Sequence, residues 1–243
     1  AFSGGRDSLA LLHATCRAGQ ALGLQVVALH IHHGLLPEAD VWLQGAQRLC
    51  ARWRHRGWPV RLLWTRLSGQ PAPGDSLEAW ARAGRHAAMA AMAAEAGASL
   101  LLLAHHRRDQ AETFILQALR GGAPAGLSAM PRQIDRAGLV WARPWLDQPR
   151  RAIDAYVQRH RLQPVDDPSN ADDRLARNRL RLQLWPALEA AFPHAETSLA
   201  AAAQRAQEAR AALEELAALD LAPLVDADGA LAVAGWRSLS AAR

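Results

Sequence analysis

Lysine is absent: all 28 basic residues of this 243-residue chain are arginine. That excludes a Walker-type phosphate loop, which ends in Gly-Lys-Ser/Thr, and any chemistry through a lysine Schiff base. It also inflates the isoelectric point to about 10.7 at a net charge of only +5, because nothing titrates near pH 10. A modest positive excess permits a nucleic-acid partner without establishing one. Cysteine is scarce. Cys16 and Cys50 stand far apart in helix-like patterns and form no Cys-x-x-Cys pair, which excludes a redox motif and a zinc or iron–sulfur centre and points to a reducing cytoplasm. No apolar run is long enough to span a bilayer. The first residue is not Met, so the chain is expected to be trimmed, and the lack of a signal peptide carries no weight.

What is present begins at once, in "AFSGGRDSLALLHA". Ala1 and Phe2 read as the last residues of a strand whose beginning is missing, and from Leu9 the apolar positions recur at helical spacing. Between them lie Ser3, Gly4, Gly5, Arg6, Asp7 and Ser8. Glycines let backbone approach a ligand closely, and the free N–H groups of a helix start attract anions. The turn reads as an anion cradle, most simply for phosphate; a plain strand–helix turn capped by Ser3 or Asp7 is the other reading. Asp7 is odd in a plain cap. A carboxylate inside a phosphate loop repels phosphate unless a cation intervenes, so its placement suits a role in holding metal or positioning a nucleophile.

Strands and helices then alternate. Strands are expected at 24–34, 59–67 and 98–106, and helices at 40–57, 77–97 (after a cap at Ser76) and 108–122. This rhythm predicts an α/β fold with a doubly wound, mostly parallel, Rossmann-like sheet, whose ligands bind at strand carboxyl ends. The Ser-Gly-Gly turn, "HIHHG" and "AHHRRDQAET" all fall there. Alternation along a strand places His30 and His32 on one face and His33 on the other, and no thiolate or second compact pair completes a metal set. These histidines, with His105 and His106, are expected to line a nucleotide pocket or to hydrogen-bond at the sheet edge. A long alanine-rich helix is expected over 194–221, followed by a D-x-D-G turn between two apolar stretches.

Together these residues resemble the PP-loop, or N-type, ATP pyrophosphatases, and within them the tRNA(Ile)-lysidine synthases. The resemblance rests on "SGGRDS" (3–8), "HIHHGL" (30–35), "SLEAWAR" (76–82) and "HHRRDQAETFILQALRGGAPAGLSAMP" (105–131), then "RPWL" (143–146), "DDPSNADDRLARNRLR" (166–181) and "LWPAL" (184–188). It implies a catalytic domain over 1–192, then a connecting helix and the start of a helical tRNA-binding domain over 193–243. It implies ATP and Mg²⁺ as cofactors, and as substrates free L-lysine and the isoleucine tRNA with a CAU anticodon. The wobble cytidine would be adenylated and joined to lysine at C2, with release of AMP and pyrophosphate. The oligomeric state is left open, a homodimer included.

The implied sites follow residue by residue. Asp7 is essential, and residues Ser3 to Ser8 with His30 hold the nucleotide. Asp109 and Glu112, three apart on a helix, share a face and jointly hold the metal; the competing reading makes them first-turn carboxylates favoured by the helix dipole. Where the family has two adjacent aspartates, the first position here is Arg108, which weakens the metal site. Arg82, four residues after Glu78, either pairs with it or contacts phosphate or tRNA. His106 joins the substrate contacts. Arg174, Arg177 and Arg181, at spacings of three and four, form a basic helical face, either solvated or binding RNA backbone through Arg177 and Arg181. A PP-loop amidotransferase or RNA sulfurtransferase, or an inactive RNA-binding remnant, stays open as an alternative.

Overall fold

A computed structural model describes residues 1–32, 34, 38–69, 77–226, 228–240 and 243. His33, the expected cap at Ser76 and the Glu78 side chain lie outside the described residues. In chain order the elements are α1 (Arg6–Leu22), β1 (Val26–His32), α2 (Ala39–His55), β2 (Val60–Arg66), α3 (Leu77–Glu95), β3 (Leu100–Leu102), α4 (Arg107–Ala118), α5 (Pro124–Leu127), β4 (Gln133–Arg136), β5 (Leu139–Ala142), α6 (Arg150–Arg159), α7 (Ala176–Arg179), α8 (Trp185–Ala191), α9 (Ala195–Leu221) and α10 (Val233–Arg237). They form two compact units: residues 1–109 with 132–182, and residues 110–131 with 183–243.

The first unit carries the sheet. β1 and β2 pair in parallel, Val26 opposite Val60, and β3 pairs in parallel with β5. Ala1 and Phe2 join these two ribbons, as the end of a strand would. Phe2 N–H donates to the Leu29 carbonyl at 2.8 Å, and the Ala1 amine to the Leu102 carbonyl at 2.7 Å. Antiparallel β4 was not expected. It is the partner of β5 in a hairpin closed by Ala137 and Gly138, whose φ values of 53° and 79° suit a two-residue turn of the twist that hairpins favour. An Ala-Gly turn is a weaker signal in sequence than Asn-Gly, which is why the hairpin is hard to read there.

Helices cover both faces of the sheet. Leu9, Leu12 and Cys16 of α1 pack with Val26 and Ala28 of β1 and with Ala46, Cys50 and Trp53 of α2. On the other face Met89, Met92 and Ala93 of α3 meet Leu29, Leu101 and Trp141. The doubly wound α/β expectation therefore holds. The expected strand over 98–106 is shorter than its apolar run, since the ladder closes at Leu103 and the backbone turns to start α4 after His106.

α6 packs on α1 around a nest of rings. His13 Nδ1 hydrogen-bonds the Tyr156 hydroxyl at 2.8 Å, with His160 4.7 Å and Trp58 4.9 Å away between ring centres. Burial, then the neighbouring His160 and Arg17, push His13 down to about 4. The unfolded chain therefore takes up a proton between pH 6.5 and about 4 that the native state refuses, so stability falls as pH falls through that window. A loss of about 2 kcal/mol is expected after discounting for solvent screening. Urea denaturation of His13→Gln, which keeps an acceptor for Tyr156 but cannot titrate, should show a flatter profile from pH 7 to pH 4.5.

In the second unit Gln110 and Met130 exchange two hydrogen bonds, at 2.9 and 3.0 Å. Gln207 of α9 donates to the Ser128 and Met130 carbonyls at 2.7 and 2.9 Å, seating the α5 turn on α9. The expected domain boundary after residue 192 thus falls inside a compact unit, because residues 110–131 pack on α9. The D-x-D-G turn closes with Val225 bridging Leu231, and an Asp226 carboxylate oxygen accepts the Asp228 and Ala230 N–H groups.

Candidate nucleotide site

The Ser-Gly-Gly turn is built to leave donors open. Gly5, extended at φ −66° and ψ 164°, is the N-cap of α1 with no side-chain cap, so neither Ser3 nor Asp7 serves as one. The first N–H groups of this 17-residue helix therefore carry the positive end of its dipole without a side-chain acceptor. Gly4 holds φ at 92°, open to glycine and strained for other residues. Ser3 and Ser8 lie with their hydroxyls 3.0 Å apart, and Ser8 Oγ donates to the Gly5 carbonyl at 2.9 Å. Arg6, expected on the nucleotide, donates instead to Asp154 of α6 at 2.7 Å. His30, expected on the nucleotide as well, sits buried below the turn, its Nδ1 3.0 Å from the Phe2 carbonyl.

Facing the turn is the start of α4. Asp109, at the third helical position, accepts the His106 backbone N–H at 3.0 Å, one half of a capping box. Its other oxygen accepts from Arg181 at 2.8 Å. The His106 ring is buried, its Nε2 3.5 Å from Asp109 and 3.8 Å from Asp7. Asp7 and Asp109 thus converge on one imidazole. Burial raises the Asp7 carboxyl, with Asp109 adding to the rise and His106 opposing it. Burial would raise Asp109 too, but the His106 and His105 rings, the His106 N–H and the Arg181 guanidinium outweigh it and hold that group below its ordinary range. Asp7 Oδ1 is buried without a hydrogen-bond partner.

This arrangement bears on a metal. Among the described residues no group of three or more His, Cys, Asp or Glu side chains is set to hold an ion. Mg²⁺, however, is commonly held by one or two carboxylates together with substrate phosphates. The orphaned Asp7 oxygen beside Asp109 fits that kind of site. Glu112, the expected partner of Asp109, belongs to the second unit, where its side chain is fully buried.

The arginines divide. Burial pushes His105 down to about 4 against the pull of Asp109, and Arg143, Arg177 and Arg82 each push further down, so three guanidiniums act on one half-buried ring. Arg82 and Arg177 were expected as substrate contacts; Arg143 was not singled out, although "RPWL" contains it. Arg174 precedes α7 and forks onto the Asp172 carboxylate at 2.8 and 2.9 Å. Arg181 turns to Asp109. The single helical face of Arg174, Arg177 and Arg181 is therefore corrected: the helix begins at Ala176, and Arg174 and Arg181 each bind a carboxylate. Asn178 and Asp40 were also missed. Asp40 accepts from Arg66 at 2.8 Å and lies 3.0 Å from His32 Nε2, pinning the start of α2 to the strand ends.

Residues 1–188 match the PP-loop domain family. The chain is 48% identical over 245 aligned positions to the tRNA(Ile)-lysidine synthase of Ralstonia nicotianae, covering all of this chain and 51% of the relative. It is 43% identical to that of Burkholderia mallei, covering 94% of this chain and 46% of the relative. The chain thus spans about half the length of these curated relatives. Among solved structures the tRNA thiolase NcsA from Methanococcus maripaludis superposes with a TM-score of 0.68 at 16% identity, over 85% of this chain and 70% of that one, a likeness of fold.

Proposed function

This chain belongs to the PP-loop domain family, and from that premise we propose that it is the catalytic part of an ATP-dependent tRNA-modifying ligase that makes lysidine. Its substrates are ATP, free L-lysine and the isoleucine tRNA with a CAU anticodon. The carrying observation is the uncapped start of α1 behind the Ser-Gly-Gly turn, with Asp7 and Asp109 converging beside it. The names of relatives at 41–48% identity support the choice of substrate. Among the described residues no helix is long and apolar enough to cross a membrane, in keeping with work on tRNA in the cytoplasm.

The reaction needs a leaving group made from a poor one. The C2 carbonyl oxygen of cytidine attacks the α-phosphorus of ATP, the bond to the β-phosphate oxygen breaks, and pyrophosphate departs. The lysine ε-amine then adds at C2, loses a proton, and expels AMP. The α1 N–H groups and the Ser3 and Ser8 hydroxyls face the phosphates and follow the charge onto pyrophosphate. Mg²⁺, held by Asp7 and Asp109, would neutralise part of that charge. Arg82 and Arg177 supply positive charge for the RNA backbone beside His105, and the buried Arg143 adds to the potential there.

The test is product formation by the complete protein. AMP and pyrophosphate should appear together only when tRNA and lysine are both present, and labelled lysine should enter the tRNA. Turnover with ammonia or a sulfur donor in place of lysine would move the protein to another branch, and RNA binding without turnover would make it a remnant.

A further inference from the structure

The stretch from Leu162 to Asp172 reaches the phosphate turn through backbone. Val165 N–H donates to the Gly4 carbonyl at 3.0 Å. A Cβ on Gly4 would lie 3.5 Å from Val165 Cγ2, so the two segments are in close contact. A trans peptide is planar, with its C=O and the following N–H pointing oppositely. Holding the Gly4 carbonyl on Val165 therefore fixes where Gly5 N–H aims. That N–H makes a long bond of 3.4 Å to Ser3 Oγ and sits at the mouth of α1 where an anion would bind.

The stretch is itself held by one side chain. Asp167 caps a 3-10 turn over Pro168–Ala171 by accepting Ser169 N–H at 2.9 Å. Asn178 of α7, buried at 7% exposure, then donates through Nδ2 to the Ser169 carbonyl at 2.8 Å and the Asp172 carbonyl at 2.9 Å. Both acceptors are carbonyls, which cannot donate, so the amide nitrogen must face them, and both its hydrogens are used. No other uncharged side chain of this size offers two donors from one atom.

We propose that Asn178 is a positioning residue for phosphate binding: it holds the 165–172 stretch, which through Val165 and Gly4 orients the Gly5 N–H toward the pyrophosphate part of ATP. The inference rests on the nucleotide reading of the turn. Asp at this position has the same size, no donor, and a charge against two carbonyl oxygens, so it releases the stretch. Any damage should be selective. The affinity for pyrophosphate should fall, while the affinity for AMP, which lacks the groups the turn cradles, should stay.

Titration calorimetry on the complete protein tests this with inorganic pyrophosphate, ATP and AMP as probes. Asn178→Asp should weaken pyrophosphate and ATP about tenfold or more, the scale of a small misplacement of a binding group, and leave AMP unchanged. Val165→Pro, which deletes the donor to Gly4, should do the same. The double variant should be no worse than either single one, because both act on one route. Asn178→Leu serves in the same comparison if the aspartate variant does not fold. Wild-type pyrophosphate affinity in the variant, an equal loss for AMP, or additive losses in the double variant would each overturn the assignment. Failure of the unaltered protein to bind ATP or pyrophosphate would remove the nucleotide reading itself, and this inference with it.

Discussion

Asp7→Asn should abolish pyrophosphate release from ATP while leaving the protein folded and no less stable. The asparagine is nearly isosteric, so packing against the turn persists. What disappears is a charge that the structure partly buries, with one oxygen lacking any hydrogen-bond partner. A carboxyl whose native pKa is raised gives its full stability only below the unfolded value, and loses it as pH rises through the native one. At neutral pH the ionised Asp7 therefore costs stability, and the neutral amide relieves that cost. Activity should move the other way. An amide oxygen cannot replace a carboxylate toward a cation bound to phosphates, and a loss of about a hundredfold or more in turnover is expected, the scale seen when one preorganised electrostatic group is removed. Pyrophosphate release and thermal denaturation of the same preparation check both halves. Release at the wild-type rate would show that Asp7 is only part of the turn.

The same residues explain what could be read in advance. Alternation of apolar runs with amphipathic stretches is a local property, and it located β1, α2, β2, α3 and α9 to within a few residues. Glycine chemistry made the turn before α1 legible, because Gly4 sits at φ 92° and needs no Cβ. Pairings across the chain were illegible for a physical reason. Nothing local in "RLARNRLR" says that Arg181 will meet Asp109, 72 residues away, or that Asn178 will turn inward to two carbonyls of its own loop. A basic run on a presumed helix reads as one face only while the start of the helix is unknown. With the helix beginning at Ala176, its arginines part company. Asp109 was legible as a first-turn carboxylate: one oxygen accepts the His106 N–H, and the other takes Arg181.

That division separates two arginines that sequence alone placed together. Arg177→Ala should weaken binding of the isoleucine tRNA and lower the slope of log affinity against log salt by about 0.9 if the contacted backbone is duplex-like, as each released counterion contributes that much. Arg181→Ala should leave the slope alone. Arg181 spends a guanidinium nitrogen on the buried Asp109 at 2.8 Å, so its loss leaves a carboxylate that is 11% exposed without that charged partner. Breaking such a pair costs about 3 kcal/mol when burial is deep; the 32% exposure of Arg181 reduces this to about 2 kcal/mol. Because the uncovered charge then attracts a divalent cation, millimolar Mg²⁺ should restore part of the lost melting temperature in Arg181→Ala and do little for Arg177→Ala. Filter binding across a salt series, with melting curves in the presence and absence of Mg²⁺, separates the two roles. A slope that falls equally for Arg181→Ala, with no stability loss, would return Arg181 to the RNA face and break its assignment to Asp109.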